Sequence, residues 1–174
     1  MEMARSITLS ALALSFTVLA GPVSAGPGAP GHSHSGFSAG QPGDPKKPAR
    51  TVVISMHESD GKMAFSSNRV EVSRGEQIKF VLQNKGELDH EFVLATTKDN
   101  DKHAALMMKY PEMEHDDPNA KRLGASKNGE LLWQFTKTGE YEFACLIPGH
   151  REAGMQGKIV VKQRIANTEQ GKKQ

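Results

Sequence analysis

The single cysteine of this 174-residue chain lies in the stretch "YEFACLIPGHREAGM", where a histidine and a methionine follow it at equal intervals. Cys145, His150 and Met155 form a C-x4-H-x4-M pattern, and Pro148 and Gly149 stiffen and tighten the loop between them. Thiolate, imidazole and thioether together favour copper, because a weak methionine ligand helps a site to alternate between Cu(I) and Cu(II). The pattern therefore predicts a metal site in which one loop presents three donors.

A second imidazole must come from elsewhere in the chain to complete a trigonal site, and His90 is the best candidate. It opens the apolar strand "HEFVLAT" after the turn-rich "NKGELD", so it is expected at a sheet end where ligands converge. A donor from a distant strand would join the two sheets of a sandwich through the metal. The alternatives are a buried free thiol at Cys145, a structural histidine at His90 and a core methionine at Met155.

The first residues indicate export. Residues 1–25 combine Arg5, the uncharged run "SITLSALALSFTVLA" and the small residues of "PVSA", which predicts a signal peptide cleaved after Ala25 and a periplasmic protein. The apolar run of about 14 residues is too short to cross a bilayer, so no membrane span is expected. An exported chain usually pairs its cysteines, and a lone one is expected to be intermolecular, reactive or metal-bound. The net charge of +2 is too small to suggest nucleic acid as a partner.

Composition divides the remainder of the chain into a tail, a domain and a second tail. Residues 26–50 are rich in Gly, Pro, Ser and Ala and are predicted to be a flexible tail, because they offer little apolar surface to bury. Residues 51–163 are predicted to form the folded domain, and residues 164–174 a polar C-terminal tail. We see no internal repeat.

Within the domain, short apolar segments alternate with polar residues at the period of two that half-buried strands show. The stretch "DNDKHAALMMKYPEM" instead favours a helix, with an Asp or Asn cap before it and Pro111 ending it. The sequence predicts an all-β fold: an antiparallel Greek-key sandwich of two sheets with one short helical insertion. The predicted strands lie near residues 51–57, 68–73, 76–83, 90–96, 130–135, 139–145 and 158–163.

The segments "DHEF", "YEFAC" and "PGHREAGM" resemble the cupredoxins, the type 1 copper proteins, over about residues 51–162. The loop spacing is similar to that of rusticyanin and auracyanin, and "MMKYPEMEHDDPNA" and "ELLWQFTKTGEYEFACLIPGH" resemble the small exported copper-tolerance cupredoxins of bacteria. The resemblance implies one type 1 copper site with His90, Cys145, His150 and Met155 as ligands. Many cupredoxins carry Asn, Asp or Ser directly after the first histidine, where it braces the cysteine loop. Here that residue is Glu91, and either it or a residue such as Asn84 is expected to take the bracing role.

Further soft donors are candidates for secondary copper binding, although methionines in helices and strands more often serve packing. They form a helical group, a group around the first strand and a histidine pair in the tail: Met107, Met108, Met113 and His115; Met56, His57 and Met63; His32 and His34.

The primary function expected is copper binding in the service of copper tolerance or homeostasis, with redox cycling of the metal as a component. The first alternative is one-electron transfer to a respiratory or oxidoreductase partner, and the second is oxidation of Cu(I) at the mononuclear site. A stand-alone multicopper oxidase needs more histidines than the seven in this chain. Turnover of an organic substrate is not expected, and whether the protein is an enzyme stays open.

Overall fold

The computed structural model describes residues 36–111 and 117–164. In these residues ten strands and one helix follow one another along the chain. The strands are β1 Gln41–Pro42, β2 Arg50–Ser59, β3 Lys62–Phe65, β4 Arg69–Ser73, β5 Gln77–Asn84, β6 His90–Ala95, β7 Ala120–Leu123, β8 Asn128–Gln134, β9 Gly139–Ala144 and β10 Gln156–Lys162; helix α1 is Thr97–Lys109. Within that part of the chain, no helix is both long enough and apolar enough to span a membrane.

The strands form two five-stranded sheets, with the orders β1-β8-β5-β2-β3 and β4-β10-β9-β6-β7. The prediction of an all-β, two-sheet sandwich with one helix is confirmed. The expectation of purely antiparallel pairing is wrong, because β2 pairs with β5 and β4 pairs with β10 in parallel. Since β3 belongs to the first sheet and β4 to the second, the chain crosses between sheets there and β5 returns beside β2 in the same direction.

Inward-facing side chains of both sheets make one core, as the alternating burial of β5 and β10 shows. Aromatic rings occupy its centre: Phe92 stacks on Phe143 with centroids 5.2 Å apart, and Phe65 meets Phe143 edge-on at 5.1 Å. Every residue of β6 is buried, because helix α1 covers the outer face of β6 and β9 and buries Met107 there. At β6 and β9 the second sheet is thus covered on both faces, by the core on one side and by α1 on the other.

Helix α1 begins after Thr96, whose side-chain oxygen accepts a hydrogen bond from the amide of Asp99. The expected Asp or Asn cap is therefore wrong, although the helix ends at Lys109, shortly before Pro111 as predicted. Strands β1, β3 and β7 were not predicted, since each has only two to four residues and too little alternation to be recognised.

The predicted flexible tail needs correction over residues 36–50. Ala39 is fully buried and its carbonyl accepts a hydrogen bond from the indole of Trp133, against which Phe37 packs edge-on with centroids 5.2 Å apart. Strand β1 pairs Gln41 with Gln134 of β8. This segment therefore belongs to the folded domain, because the aromatic contact, the indole hydrogen bond and the strand pairing stabilise it despite its polar composition.

Candidate metal centre

His90 and Cys145 lie at the same end of two neighbouring strands. His90 is the first residue of β6 and Cys145 directly follows β9, and these strands run antiparallel with Val93 opposite Ala144. The expectation that His90 would join the two sheets through the metal is wrong, because β6 and β9 belong to the same sheet. Antiparallel pairing alone brings the thiol and the imidazole together.

The loop between β9 and β10 is closed by its own backbone. The Cys145 amide donates to the Met155 carbonyl at 3.1 Å, and the Met155 amide donates to the His150 carbonyl at 3.1 Å. Gly149 and Gly154 have φ angles of 87° and 110°, which side-chain-bearing residues rarely adopt. The glycines thus permit the two turns that return Met155 to the side of Cys145.

Three donor atoms converge at this end of the sandwich. The Nδ1 atoms of His90 and His150 are 3.2 Å apart, the Cys145 Sγ is 3.4 Å from the His150 Nδ1, and all three lie within 4.8 Å of one another. Nitrogen and sulfur donors bonded to one tetrahedral metal ion are about 3.3–3.6 Å apart. Two of the three donor separations are close to this spacing, and a donor set of two imidazole nitrogens and one sulfur suits copper.

Burial sets the protonation of these groups. Desolvation raises the pKa of the Cys145 thiol to about 12, and it lowers the pKa of His150, with the neighbouring His90 ring adding to the effect. Without metal, the site therefore holds a neutral thiol, and metal binding must release its proton. The Glu91 amide lies 3.3 Å from the Cys145 Sγ and is placed to donate to the thiolate.

Met155 is fully buried and packs in the same core cluster as Cys145. Its backbone is bonded to both Cys145 and His150, so the loop fixes it beside two of the converging donors. Its role as a fourth ligand stays a prediction.

Of the two residues expected to brace the cysteine loop, Glu91 contacts that loop and Asn84 does not. The Glu91 carboxylate is buried and accepts a hydrogen bond from the backbone of Leu146, the residue after Cys145, while its Oε1 makes no hydrogen bond to another described residue. Desolvation raises the pKa of Glu91, and the bond from Leu146 opposes that rise. Asn84 instead donates to the Leu88 and Leu123 carbonyls at 2.8 and 3.0 Å, which secures the turn before His90. The cysteine loop is therefore braced at Glu91 twice: its backbone amide meets the Cys145 Sγ, and its carboxylate accepts from the Leu146 backbone.

Sequence reasoning missed Glu58, whose Oε1 lies 2.7 Å from the His90 Nε2. Glu58 is at the end of β2 in the first sheet, so this hydrogen bond joins the two sheets at the site. The available signal was its period-two register with the buried residues Ile54 and Met56, which places a carboxylate on the core face.

The sequence also did not predict a role for Arg151, although it follows His150 directly. Its guanidinium donates to both carboxylate oxygens of Glu142 at 2.8 and 2.9 Å and to Asp101 of α1 at 2.7 Å. Arg151 thus joins the ligand loop to β9 through the largely buried Glu142 and to the helical insertion through the exposed Asp101.

The secondary donors do not form a comparable cluster among the described residues. Met107 lies on the buried face of α1 and packs on the second sheet, whereas the next residue, Met108, is 69% exposed, so the two methionines do not share a face of the helix. Met56 is buried in the core, and neighbouring His57 belongs to no group of three His, Cys, Asp or Glu donors in the described ranges. Met63 packs at the core edge, and its amide donates to Ala153 of the ligand loop. The other predicted donors lie outside the described residues: His32, His34, Met113 and His115.

A two-sheet sandwich that gathers two imidazoles and one thiol at one end defines a copper protein of the cupredoxin type. Residues 52–162 match the family model described as copper binding proteins, plastocyanin/azurin family. The chain belongs to this family, and the resemblance stated from its motifs is confirmed.

Relatives agree with this assignment over most of the chain. The chain is 48% identical to the copper-resistant cuproprotein CopI of Rubrivivax gelatinosus, over 76% of this chain and 82% of that protein. It is 31% identical to CopI of Pseudomonas aeruginosa, over 73% and 84% respectively. The solved structure of dithionite-reduced auracyanin from the photosynthetic bacterium Roseiflexus castenholzii aligns with a TM-score of 0.55 at 21% identity, over 67% of this chain and 99% of that one. That last likeness concerns the fold.

Proposed function

We propose that this protein contributes to copper tolerance in the periplasm by binding copper in one type 1 site made by His90, Cys145, His150 and Met155. The observation that carries the proposal is the buried convergence of two imidazole nitrogens and one thiol within 4.8 Å. Two relatives that are named copper-resistant and align over most of their lengths support the biological role.

The chain's own residues divide the work of such a site. Cys145 supplies a thiolate that accepts from the Glu91 amide, and the two sheets exclude water from His90, which is fully buried. His150 retains 9% exposure, so its ring edge is the part of the donor cluster nearest to solvent. Copper bound there supplies a one-electron change between Cu(I) and Cu(II).

Optical and EPR titration of the copper-free protein with Cu(II) tests the site. We expect one intense thiolate-to-Cu(II) band per chain; a colourless Cu(II) complex would contradict the type 1 assignment. Cys145→Ser should abolish the band while the fold, followed through the fluorescence of the buried Trp133, persists.

A pair of methionine variants tests the fourth ligand. Met155→Leu should move the band and the EPR hyperfine splitting, because a thioether leaves the copper. Met56→Leu is the matched control, since Met56 is equally buried in the same core cluster and should leave both signals unchanged. Identical spectra for both variants and the wild type would remove Met155 from the ligand set.

Electron transfer is a second candidate, favoured by the partial exposure of His150 at the edge of the site. Deleting the gene separates the two functions. Lower growth on copper supports tolerance, whereas normal growth on copper with a blocked respiratory electron route supports the carrier.

Mass spectrometry of the periplasmic fraction should find a mature chain beginning at Gly26; a chain retained in the cytoplasm would contradict export.

A further inference from the structure

Backbone hydrogen bonds hold the carboxylate of Glu58 against the ring of His90. Its Oε1 lies 2.7 Å from the His90 Nε2 and accepts from the Leu88 amide at 3.0 Å, while its Oε2 accepts from the Glu87 amide at 3.1 Å. Gly86 approaches so closely that a side chain there would overlap the carboxylate. The Glu58 side chain is 22% exposed and the His90 ring is fully buried, so one edge of the carboxylate faces water and the other faces the site.

This arrangement fixes which nitrogen of His90 carries a proton. The backbone amides of Leu88 and Glu87 each donate to one oxygen of Glu58, so both oxygens of this carboxylate act as acceptors. An ionised carboxylate only accepts hydrogen bonds, so the Nε2 of His90 must donate. The Nδ1 then presents a lone pair toward the position shared with His150 and Cys145.

We propose that Glu58 is a positioning residue that orients the His90 ring for copper and biases the site toward Cu(II) over Cu(I). The inference rests on the proposed function. A carboxylate bonded to the far nitrogen of a metal-binding histidine orients the ring and makes it a stronger base. Its negative charge also favours the oxidation state with the greater positive charge.

The expected size follows from this geometry. Loss of such a partner costs about 10–100-fold in metal affinity. Glu58 is partly exposed, so water screens its charge. We therefore expect the loss of Cu(II) affinity to exceed the loss of Cu(I) affinity by a factor at the lower end of this range. The ratio of Cu(II) affinity to Cu(I) affinity should fall about tenfold, which raises the one-electron reduction potential by about 59 mV.

Glu58→Gln is the main test, since it removes the charge and keeps one acceptor oxygen for His90. Chelator competition gives both copper affinities, and voltammetry gives the potential independently. Glu76→Gln is the matched control, because Glu76 is also a partly exposed carboxylate with lowered pKa, held by Arg50 and the Ser73 amide at the other end of β5. It should leave the affinity ratio within about twofold of wild type.

Three results would overturn the proposal: an unchanged ratio in Glu58→Gln, an equal loss of both affinities, which would indicate a purely structural role, or an equal shift in the control. If Glu58→Gln does not fold, ¹⁵N NMR of the copper-free wild type still decides. The His90 ring should be protonated at Nε2 only, and protonation at Nδ1 would refute the mechanism. A wild-type copper complex without the thiolate band would instead refute the proposed function and leave the tautomer result standing.

Discussion

Replacing Arg151 with methionine should destabilise the domain and loosen the ligand loop. Arg151 follows His150, and its guanidinium bonds both oxygens of Glu142, which also accepts from Asn100 of α1. Methionine keeps most of the apolar stem and removes the charge. Glu142 would then retain only the 2.9 Å hydrogen bond from Asn100 among the contacts described.

The magnitude follows from burial. The Glu142 side chain is 9% exposed and that of Arg151 is 17% exposed, so the pair is largely withdrawn from water. Removing one partner of a buried ion pair costs about 3–5 kcal/mol, because the other charge is left uncompensated. The remaining bond from Asn100 places the expected loss at the lower end, about 3 kcal/mol, which lowers Tm by about 6–12 °C.

Urea unfolding of the copper-free protein at neutral pH measures this loss, with the single tryptophan, the buried Trp133, as the fluorescent probe. Asp101→Asn is the control: it removes the other, 61% exposed partner of Arg151 and should cost less than about 1 kcal/mol. Combining Arg151→Met with Glu142→Gln should cost less than the sum of the single changes, because no buried charge remains. An Arg151→Met protein within about 0.5 kcal/mol of wild type, or one matched by Asp101→Asn, would refute the reasoning.

Three other predictions concern parts of the fold away from the donors. Gly40→Ala should detach the segment before β2, because Gly40 has a φ of 137° and a Cβ there would overlap the Gln134 carbonyl; limited proteolysis should then cleave this segment faster than in wild type. Thr96→Ala should cost about 1 kcal/mol in urea unfolding through loss of the α1 cap, whereas Thr96→Ser should restore most of it. Burial raises the pKa of Glu76, but hydrogen bonds, the strongest of them from Arg50, lower it below 4.5. The contribution of Glu76 to the free energy of unfolding is therefore present above that pH and lost as the pH falls through the lowered pKa. The stability difference between wild type and Glu76→Gln should therefore shrink on acidification below about pH 4.5, and a difference that grows would contradict the assignment.

The candidate site was largely readable from the sequence because its chemistry is local. Cys145, His150 and Met155 lie in one loop whose spacing alone indicates a shared ion, and His90 is marked by its place at the start of an apolar strand. Period-two alternation likewise predicted the longer strands, since each buries one face. The same alternation cannot show strand order, and for that reason the prediction that a metal bound by His90 and Cys145 would join the two sheets failed.

The surroundings of the site were not readable in the same way. Glu58 contacts His90 although 32 residues of chain separate them, and the sequence around either residue does not indicate the other as its partner. The segment around Ala39 looks like a tail in composition, yet Trp133, 94 residues later, buries it. Such contacts depend on which strands become neighbours, which a single sequence does not encode locally.

The sequence by itself determined which residues are the candidate donors and which class of sandwich holds them, because ligand chemistry is carried by residue type and sheet burial by alternation. Only the tertiary structure decided that β6 and β9 share one sheet, that Glu58 orients His90 from the other, and that α1 holds the ligand loop through Arg151. The physical reason is that these features are pairings between distant segments, fixed by the packing of the whole core rather than by any stretch of the chain.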